Sequence, residues 1–409
     1  MVSVPKHILI FNRSFWPDME ATGQLLTELG EQLAKIYKVT VITGSSYYIK
    51  NGLFKPFRFC SKETFKGIEI LRVRHTRFWK ISLIGRLINW CTYSISAFVV
   101  ALNINSKIII ACTDPPFLGI MAMILGRFKS IPFIYYCGDL FPDVAWGLGK
   151  LERSSFFSQV FDYLNKKAFK RASFVVCLSP SMKNRLIMKG IPGERISIIP
   201  VWVDTAIIKP VPKKDNPFLK KLVPTNKFII MYSGNLGLSQ NLSLILQALT
   251  MVKNSSSFYL LFQGEGAAKG SLKKQARLRA MENVLFLPYQ PKEMLSFSLS
   301  MADLHIVSLK KEMVGAVVPS KVYGIMAAGR PYLAITDRGS EAARLAEKYG
   351  CGLWVDPDDA GRIAESLDWA LNHPRELEEM GQRARQLAET KFDKGIIINE
   401  WLKLLGSLI

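Results

Sequence analysis

Histidine is scarce in this 409-residue chain, and its cysteines are unpatterned. The four histidines (His7, His75, His305, His373) are widely separated, and the six cysteines (Cys60, Cys91, Cys112, Cys137, Cys177, Cys351) form no C-x-x-C and no histidine-paired spacing. A zinc site needs clustered ligands and a disulfide framework needs regular cysteine spacing, so neither is expected, and a reducing cytoplasm fits best. Acidic residues are also short: 33 Asp and Glu stand against 54 Lys and Arg, a net charge of +21. That balance favours anionic partners, whether phosphorylated small molecules, acidic lipid surfaces or nucleic acid, without choosing among them. No recognised nucleic-acid motif accompanies it, and no nucleic-acid partner is expected. G-x-G-x-x-G is missing after the first strand, which argues against a dehydrogenase. Asp356-Pro357-Asp358-Asp359 resembles a metal-binding D-x-D, but it stands between a strand and a helix start, where Asp is the ordinary cap. No metal or other cofactor is expected.

What the chain has is length, 49% hydrophobic residues and a regular alternation of short apolar runs with amphipathic stretches. These are enough for two buried domains of about 200 residues each. Strands are expected at 7–11, 39–43, 68–73, 107–111, 133–136 and 174–178, with helices such as 22–36 and 155–170 between them. The alternation restarts with strands at 228–232, 257–263, 284–287, 304–308, 332–335 and 352–355. This is the pattern of α/β doubly wound parallel sheets. The Pro/Lys-rich passage Lys209-Pro210-Val211-Pro212-Lys213-Lys214-Asp215 suits an extended linker. The expected division is therefore a first domain at 1–208, a linker at 209–227, a second domain at 228–390 and a packing helix at 391–409. Ligands of such sheets bind beyond the carboxyl ends of the strands, so a site between two facing sheets is expected.

Three glycine turns and one lysine carry the chemistry. In Pro319-Ser320-Lys321, a hydroxyl and a cation precede a helix rich in small residues that is expected to end at Gly329, which makes an anion site for a phosphate group. Ser233-Gly234-Asn235-Leu236-Gly237 follows the first strand of the second half, and Gly264-Glu265-Gly266 follows the next, with Lys269 behind it. In the first half Gly23 lets a ligand approach the backbone, and Thr22 is the expected helix cap. A single turn of this kind is often steric in origin, but together they read as a diphosphate cradle.

Residues 87–106 hold no charge for 20 positions, the length of a membrane span, yet Asn89, Thr92, Ser94, Asn103 and Asn105 make the run amphipathic. Before it, 50–86 mixes ten Lys and Arg (Lys50, Lys55 and Arg58 through Lys80 and Arg86) with Phe54, Phe57, Trp79 and other aromatics, against Glu63 and Glu69 alone. That mixture suits docking on anionic lipid headgroups. Region 50–106 is thus read as a membrane-facing surface, with an ordinary loop and core helix as the alternative.

Taken in order, Phe15-Trp16-Pro17-Asp18, Gly138-Asp139-Leu140-Phe141-Pro142-Asp143, Leu178-Ser179-Pro180-Ser181-Met182, Ile199-Pro200-Val201-Trp202-Val203-Asp204 and the second-half motifs above carry a resemblance over nearly the whole chain. It resembles the family 4 glycosyltransferases of GT-B fold, two Rossmann-like doubly wound domains facing a central cleft, in the branch of colanic acid and O-antigen fucosyl- and N-acetylfucosaminyl-transferases. The resemblance implies retaining transfer of a sugar from a nucleotide diphosphate sugar to a polyprenyl-diphosphate-linked glycan acceptor. It implies a peripheral enzyme at the cytoplasmic face of the inner membrane, on an anionic membrane surface. It places Gly234, Asn235, Gly237, Ser320 and Lys321 on the diphosphate, the base near Leu287-Pro288-Tyr289, Glu341 toward the donor sugar or ribose, and Gly23 over the same diphosphate.

Two departures stand out. Where many members carry paired glutamates, this chain has Ala316 and Gly324; where many carry a cation after the glycine turn, it has Leu238-Ser239-Gln240, leaving Lys321, with Lys269, to supply the charge. No histidine falls at the usual acceptor-side position, so Asp139 becomes the acid/base candidate, its alternative role being a turn or helix cap. A nucleotide-sugar 2-epimerase or a noncatalytic binding subunit of the same fold remains open.

Overall fold

The computed structural model describes residues 5–18, 20–45, 59–78, 83–222, 227–253 and 257–408. The chain divides into two compact units: Met1–Leu178, Met182–Ile199 and Ile398–Ile409 form the first, Ser179–Ser181 and Pro200–Ile397 the second.

The first unit is built on an eight-stranded sheet of order β3-β4-β2-β1-β5-β6-β7-β8. Its strands are β1 (His7–Phe11), β2 (Lys38–Gly44), β3 (Cys60–Phe65), β4 (Ile68–Val73), β5 (Ile108–Ala111), β6 (Phe133–Cys137), β7 (Phe174–Cys177) and β8 (Ile196–Ile198). All pairings are parallel except β3 with β4. Central strands such as Ile108-Ile109-Ile110-Ala111 are fully buried, because helices cover both faces of a parallel sheet. The helices are α1 (Ala21–Leu33), α2 (Leu83–Leu102), α3 (Leu118–Lys129), α4 (Asp143–Gly147), α5 (Phe156–Arg171) and α6 (Pro180–Met188). The crossovers from β4 to β5, β5 to β6 and β6 to β7 step in one direction across the sheet, so right-handedness lays α2, α3 and α5 on one face, with α3 packed on both neighbours. The direction reverses between β1 and β5, the switch point of this sheet.

The second unit holds a six-stranded parallel sheet of order β11-β10-β9-β12-β13-β14. Its strands are β9 (Phe228–Ser233), β10 (Phe258–Gln263), β11 (Val284–Leu287), β12 (Leu304–Ser308), β13 (Tyr332–Ile335) and β14 (Gly352–Val355). Its helices are α7 (Leu219–Leu222), α8 (Leu242–Leu249), α9 (Lys269–Leu278), α10 (Leu295–Leu299), α11 (Lys321–Ala327), α12 (Glu341–Tyr349), α13 (Ala360–Asn372) and α14 (Pro374–Leu387). Here the direction reverses between β9 and β12. From Ile398 onward the last helix, α15 (Lys394–Gly406), belongs to the first unit, where Trp401 and Leu405 are buried and the Trp401 ring meets Tyr136 edge-on.

Twelve of the strands lie where the apolar runs place them, and two were not anticipated. β3, Cys-Ser-Lys-Glu-Thr-Phe, is a half-exposed antiparallel edge with little apolar content, and β8 is three residues long. The passage at 209–227 is not a free linker, and the division falls at Ile199 and Pro200. Its backbone N–H groups are satisfied within the second unit, Lys209 by Ser296 Oγ and Val211 by Ser300 Oγ, both at 3.0 Å. Asn216 and Leu219 are buried in that unit's core. Pro210 and Pro212 keep the start of the passage extended, and serine hydroxyls bind the strap in place before the short α7. Of this passage 223–226, and of the basic region 46–58 and 79–82, lie outside the described residues, with Lys50, Lys55, Arg58 and Lys80 among them.

Candidate functional site

At the β9/β12 switch point of the second unit, two glycine loops lock together. Gly234 has φ +130° and donates its N–H to Gln263 O at 2.9 Å, while Leu236 N donates to Glu265 O at 2.8 Å. Gly264 and Gly266, at φ +145° and +156°, could carry no side chain: a Cβ would lie 2.0 Å from Gly234 O and 2.3 Å from Leu236 O. These two glycines shape the turn by close backbone approach. Gly237 leaves room for two amides, Gln240 Oε1 and Asn235 Nδ2, which a Cβ there would meet at 2.8 and 2.9 Å. Asn235 itself is exposed.

Lys321 reaches into this turn as the first residue of α11. Its Nζ is buried, has no hydrogen-bond partner among the described residues, and stands 3.4 Å above the centroid of the buried Tyr232 ring and 3.0 Å from where a Gly234 Cβ would be. Burial drives its pKa well below the ordinary lysine value. The aromatic face offsets about 2 kcal/mol at best, less than the cost of leaving an ammonium unpaired in the interior. An anion placed against Gly234 removes that penalty.

The helix behind the lysine is shorter than the sequence suggests. α11 ends at Ala327, and Ser320 at its N-cap makes no side-chain capping bond. Seven residues give a modest dipole, so the side-chain charge is the main attraction for an anion.

Other expected donor-side groups need correction. Lys269 is bound to Glu265 Oε1 at 2.5 Å, so its charge is already neutralised beside the turn. Glu341 is buried and held in two bonds by Arg344, at 2.7 and 3.0 Å, which leaves little of its carboxylate for a sugar or ribose. Tyr289 is half-exposed after β11, its ring beside Gly264 and its hydroxyl 3.5 Å from Glu265 O. Ala316 is buried, and a Cβ on Gly324 would make only ordinary contact with Leu299, so the two positions bring no carboxylate of their own. Asp356 and Asp358 are both ion-paired to Lys311, and Asp359 caps α13 through Arg362 N.

The β1/β5 switch point of the first unit is differently made. Arg13, just past β1, holds Asp114, just past β5, through two bonds of 3.2 Å, and also reaches Glu20 at 3.4 Å. Thr113 Oγ1 accepts the N–H groups of Gly138 and Asp139 at 3.2 and 3.1 Å, fixing the turn after β6. The Asp139 carboxylate makes no hydrogen bond with any described residue and caps no helix; Pro142, not Asp139, precedes α4. Its pKa is pushed up to about 6, first by loss of surrounding water and then by the Asp114 charge. The side chain is nevertheless exposed, so solvent screens both effects. Asp143 instead forms a buried pair with Lys189 at 2.7 Å. His75 is packed against Gly44, and burial lowers its pKa to about 4.

Gly23 lies in the first turn of α1, where a Cβ would meet Ser14 Oγ at 2.7 Å. It packs the helix on the loop after β1. Glu20, not Thr22, is the N-cap, and it makes no side-chain cap bond. Arg13, Thr113 and Asp114 were not singled out in the sequence; their mark is a position two or three residues beyond strands that flank the switch point.

Comparison with known proteins decides the family. The profile of Glycosyltransferase Family 4 matches residues 22–207, and that of Glycosyl transferases group 1 matches residues 213–387. The chain belongs to the family 4 glycosyltransferases. The transferase is 25% identical to WcaI of Escherichia coli K12, a protein named for colanic acid biosynthesis glycosyl transfer, over 97% of this chain and 98% of that one. Its GT-B fold matches the sucrose-phosphate synthase of Thermosynechococcus elongatus with a TM-score of 0.78 at 16% identity, covering 98% and 99% of the two chains. Anabaena HepE, solved with UDP and glucose, matches at 0.74 and 17% identity, again over 98% and 99%.

Proposed function

We propose that this transferase moves a glycosyl group, with retention, from a nucleoside-diphosphate sugar to a hydroxyl of a polyprenyl-diphosphate-linked glycan in cell-surface polysaccharide synthesis, working as a peripheral protein on the cytoplasmic face of the inner membrane. The observation that carries the reading is the buried Lys321 Nζ against the Gly234 turn, with no hydrogen-bond partner among the described residues. A diphosphate is a leaving group whose negative charge grows as the glycosidic bond breaks. A preplaced cation in a dry site stabilises that charge more than it stabilises the intact donor. The turn N–H groups not used by Gln263 and Glu265 and the hydroxyl of Ser320 add neutral donors. Tyr289 offers an aromatic surface to the base.

On the acceptor side Asp139 receives the hydroxyl proton, since its carboxylate has no competing partner and titrates near 6. The named relative WcaI and the UDP-bound HepE structure support the polysaccharide and nucleotide parts of this reading. The test is turnover of nucleoside-diphosphate sugars with and without a lipid-linked acceptor. Release of nucleoside diphosphate that requires acceptor agrees with the proposal. Isomerisation of the donor alone would mark an epimerase, and neither reaction would mark a binding subunit.

A further inference from the structure

The helical layer on one face of the first unit's sheet has an apolar outer surface. In α2 the buried positions Asn89, Tyr93 and Ala97 face inward, and Tyr93 Oη donates to Ile42 O at 2.9 Å, so this helix is part of the fold despite its span-like length. Its opposite stripe is bare: Ile84 is 69% and Ile95 65% exposed. The same is true of its neighbours, with Ile124 and Phe128 on α3 and Phe156 on α5, Phe128 at 76% and Phe156 at 83%. Because α3 packs against both α2 and α5, these exposed positions belong to one layer of adjoining helices. The three helices carry seven Lys and Arg against the single Asp162.

We propose that the outer face of α2, α3 and α5 is the surface on which the protein lies on an anionic bilayer, with the aromatic and aliphatic side chains in the headgroup–acyl boundary and the lysines and arginines on lipid phosphates. This rests on the membrane reading above and extends the contact from the region 50–106, which holds α2, to α3 and α5. Charge complementarity selects the occupant: an apolar face alone would suit a second copy of the chain, but a face this basic repels its own copy and attracts acidic lipid. Lys167, 4.6 Å over the Tyr163 ring, shows the pairing of cation and aromatic at the scale of one headgroup.

The test is flotation of the whole protein with vesicles of phosphatidylethanolamine and phosphatidylglycerol, beside vesicles of phosphatidylcholine. Three proteins are compared: the natural chain, the triple variant Ile95→Ser, Phe128→Ser, Phe156→Ser, and the double variant Lys167→Glu, Lys170→Glu. The expected result is binding to anionic vesicles that weakens with salt, falls at least tenfold in the triple variant and severalfold in the double variant, while both variants keep nucleoside-diphosphate binding and circular dichroism. Equal flotation of the triple variant overturns the assignment of this face but leaves membrane association standing. Failure of the natural chain to float overturns both, with donor binding as the separate check on the transferase reading. A natural chain that dimerises in light scattering, and a triple variant that does not, would make the face an interface between copies and overturn the proposal.

Discussion

The two switch points of this transferase have the same topology and opposite electrostatics. In the first unit the charges beyond β1 and β5 are already matched, Arg13 to Asp114 and Glu20, and the group left without a bond is the Asp139 carboxylate. In the second unit Lys269 is matched to Glu265, and the group left over is the Lys321 ammonium, buried on Tyr232. One sheet ends in a carboxylate whose pKa is raised, the other in a lysine whose pKa is depressed, and each shift disfavours the charged form. A fold supplies the place; the unmatched group decides the chemistry there.

Substitutions that erase one member of this comparison should separate the two halves. Asp139→Asn removes the proposed acceptor-side base and is expected to lower transfer by about 10²- to 10⁴-fold with nucleoside-diphosphate affinity unchanged, read by steady-state turnover beside calorimetry. In the natural enzyme, transfer should rise with pH through about 6 as Asp139 loses its proton, and the pH–rate profile of Asp139→Asn should lack that limb. Gly264→Ala drives a methyl into Gly234 O and should destabilise the protein by about 3 kcal/mol or more in urea unfolding, with donor binding lost along with the turn.

A subtler consequence concerns protons. Free Lys321 has a depressed pKa, and a bound diphosphate would restore it, so the complex holds more protons than the free protein over the window between the depressed value and the ordinary lysine value. Donor affinity is therefore expected to fall as pH rises through that window, and titrations in buffers of different ionisation enthalpy should reveal proton uptake. The smallest effect belongs to Lys269→Ala, whose charge is already committed: about 0.5 kcal/mol or less on donor binding. A loss as large as that of Lys321→Ala would erase the contrast between the paired and the unpaired lysine.

Much of this was legible in the chain itself. Buried parallel strands are continuous apolar runs, so β9 and β12 announce themselves, and the lysine after Pro-Ser does stand at a helix start beside the glycine turn. The glycine turns were legible as a group, though the reason for Gly264 and Gly266 is backbone clearance rather than ligand contact. What could not be read was pairing. Whether Lys269, Glu341 or Asp143 is free depends on Glu265, Arg344 and Lys189, and only the folded backbone brings the last of these to its partner. Edge strand β3 was hidden because half of it faces water, and the strap at 209–227 because its anchors are serines about 87 residues away. The apolar face of α3 and α5 was hidden for another reason: exposed Phe128 and Phe156 have the same sequence signature as core residues.

The central claim is that Lys321 is a buried charge reserved for a diphosphate. Calorimetric titration of the protein with UDP, GDP, ADP and dTDP, repeated on Lys321→Ala, tests it most directly. The account predicts binding of one nucleoside diphosphate that weakens at least tenfold, ~1.4 kcal/mol, in a variant that is no less stable when unliganded. Equal binding by both proteins, or a variant that unfolds more readily without nucleotide, would contradict it and make Lys321 a structural residue.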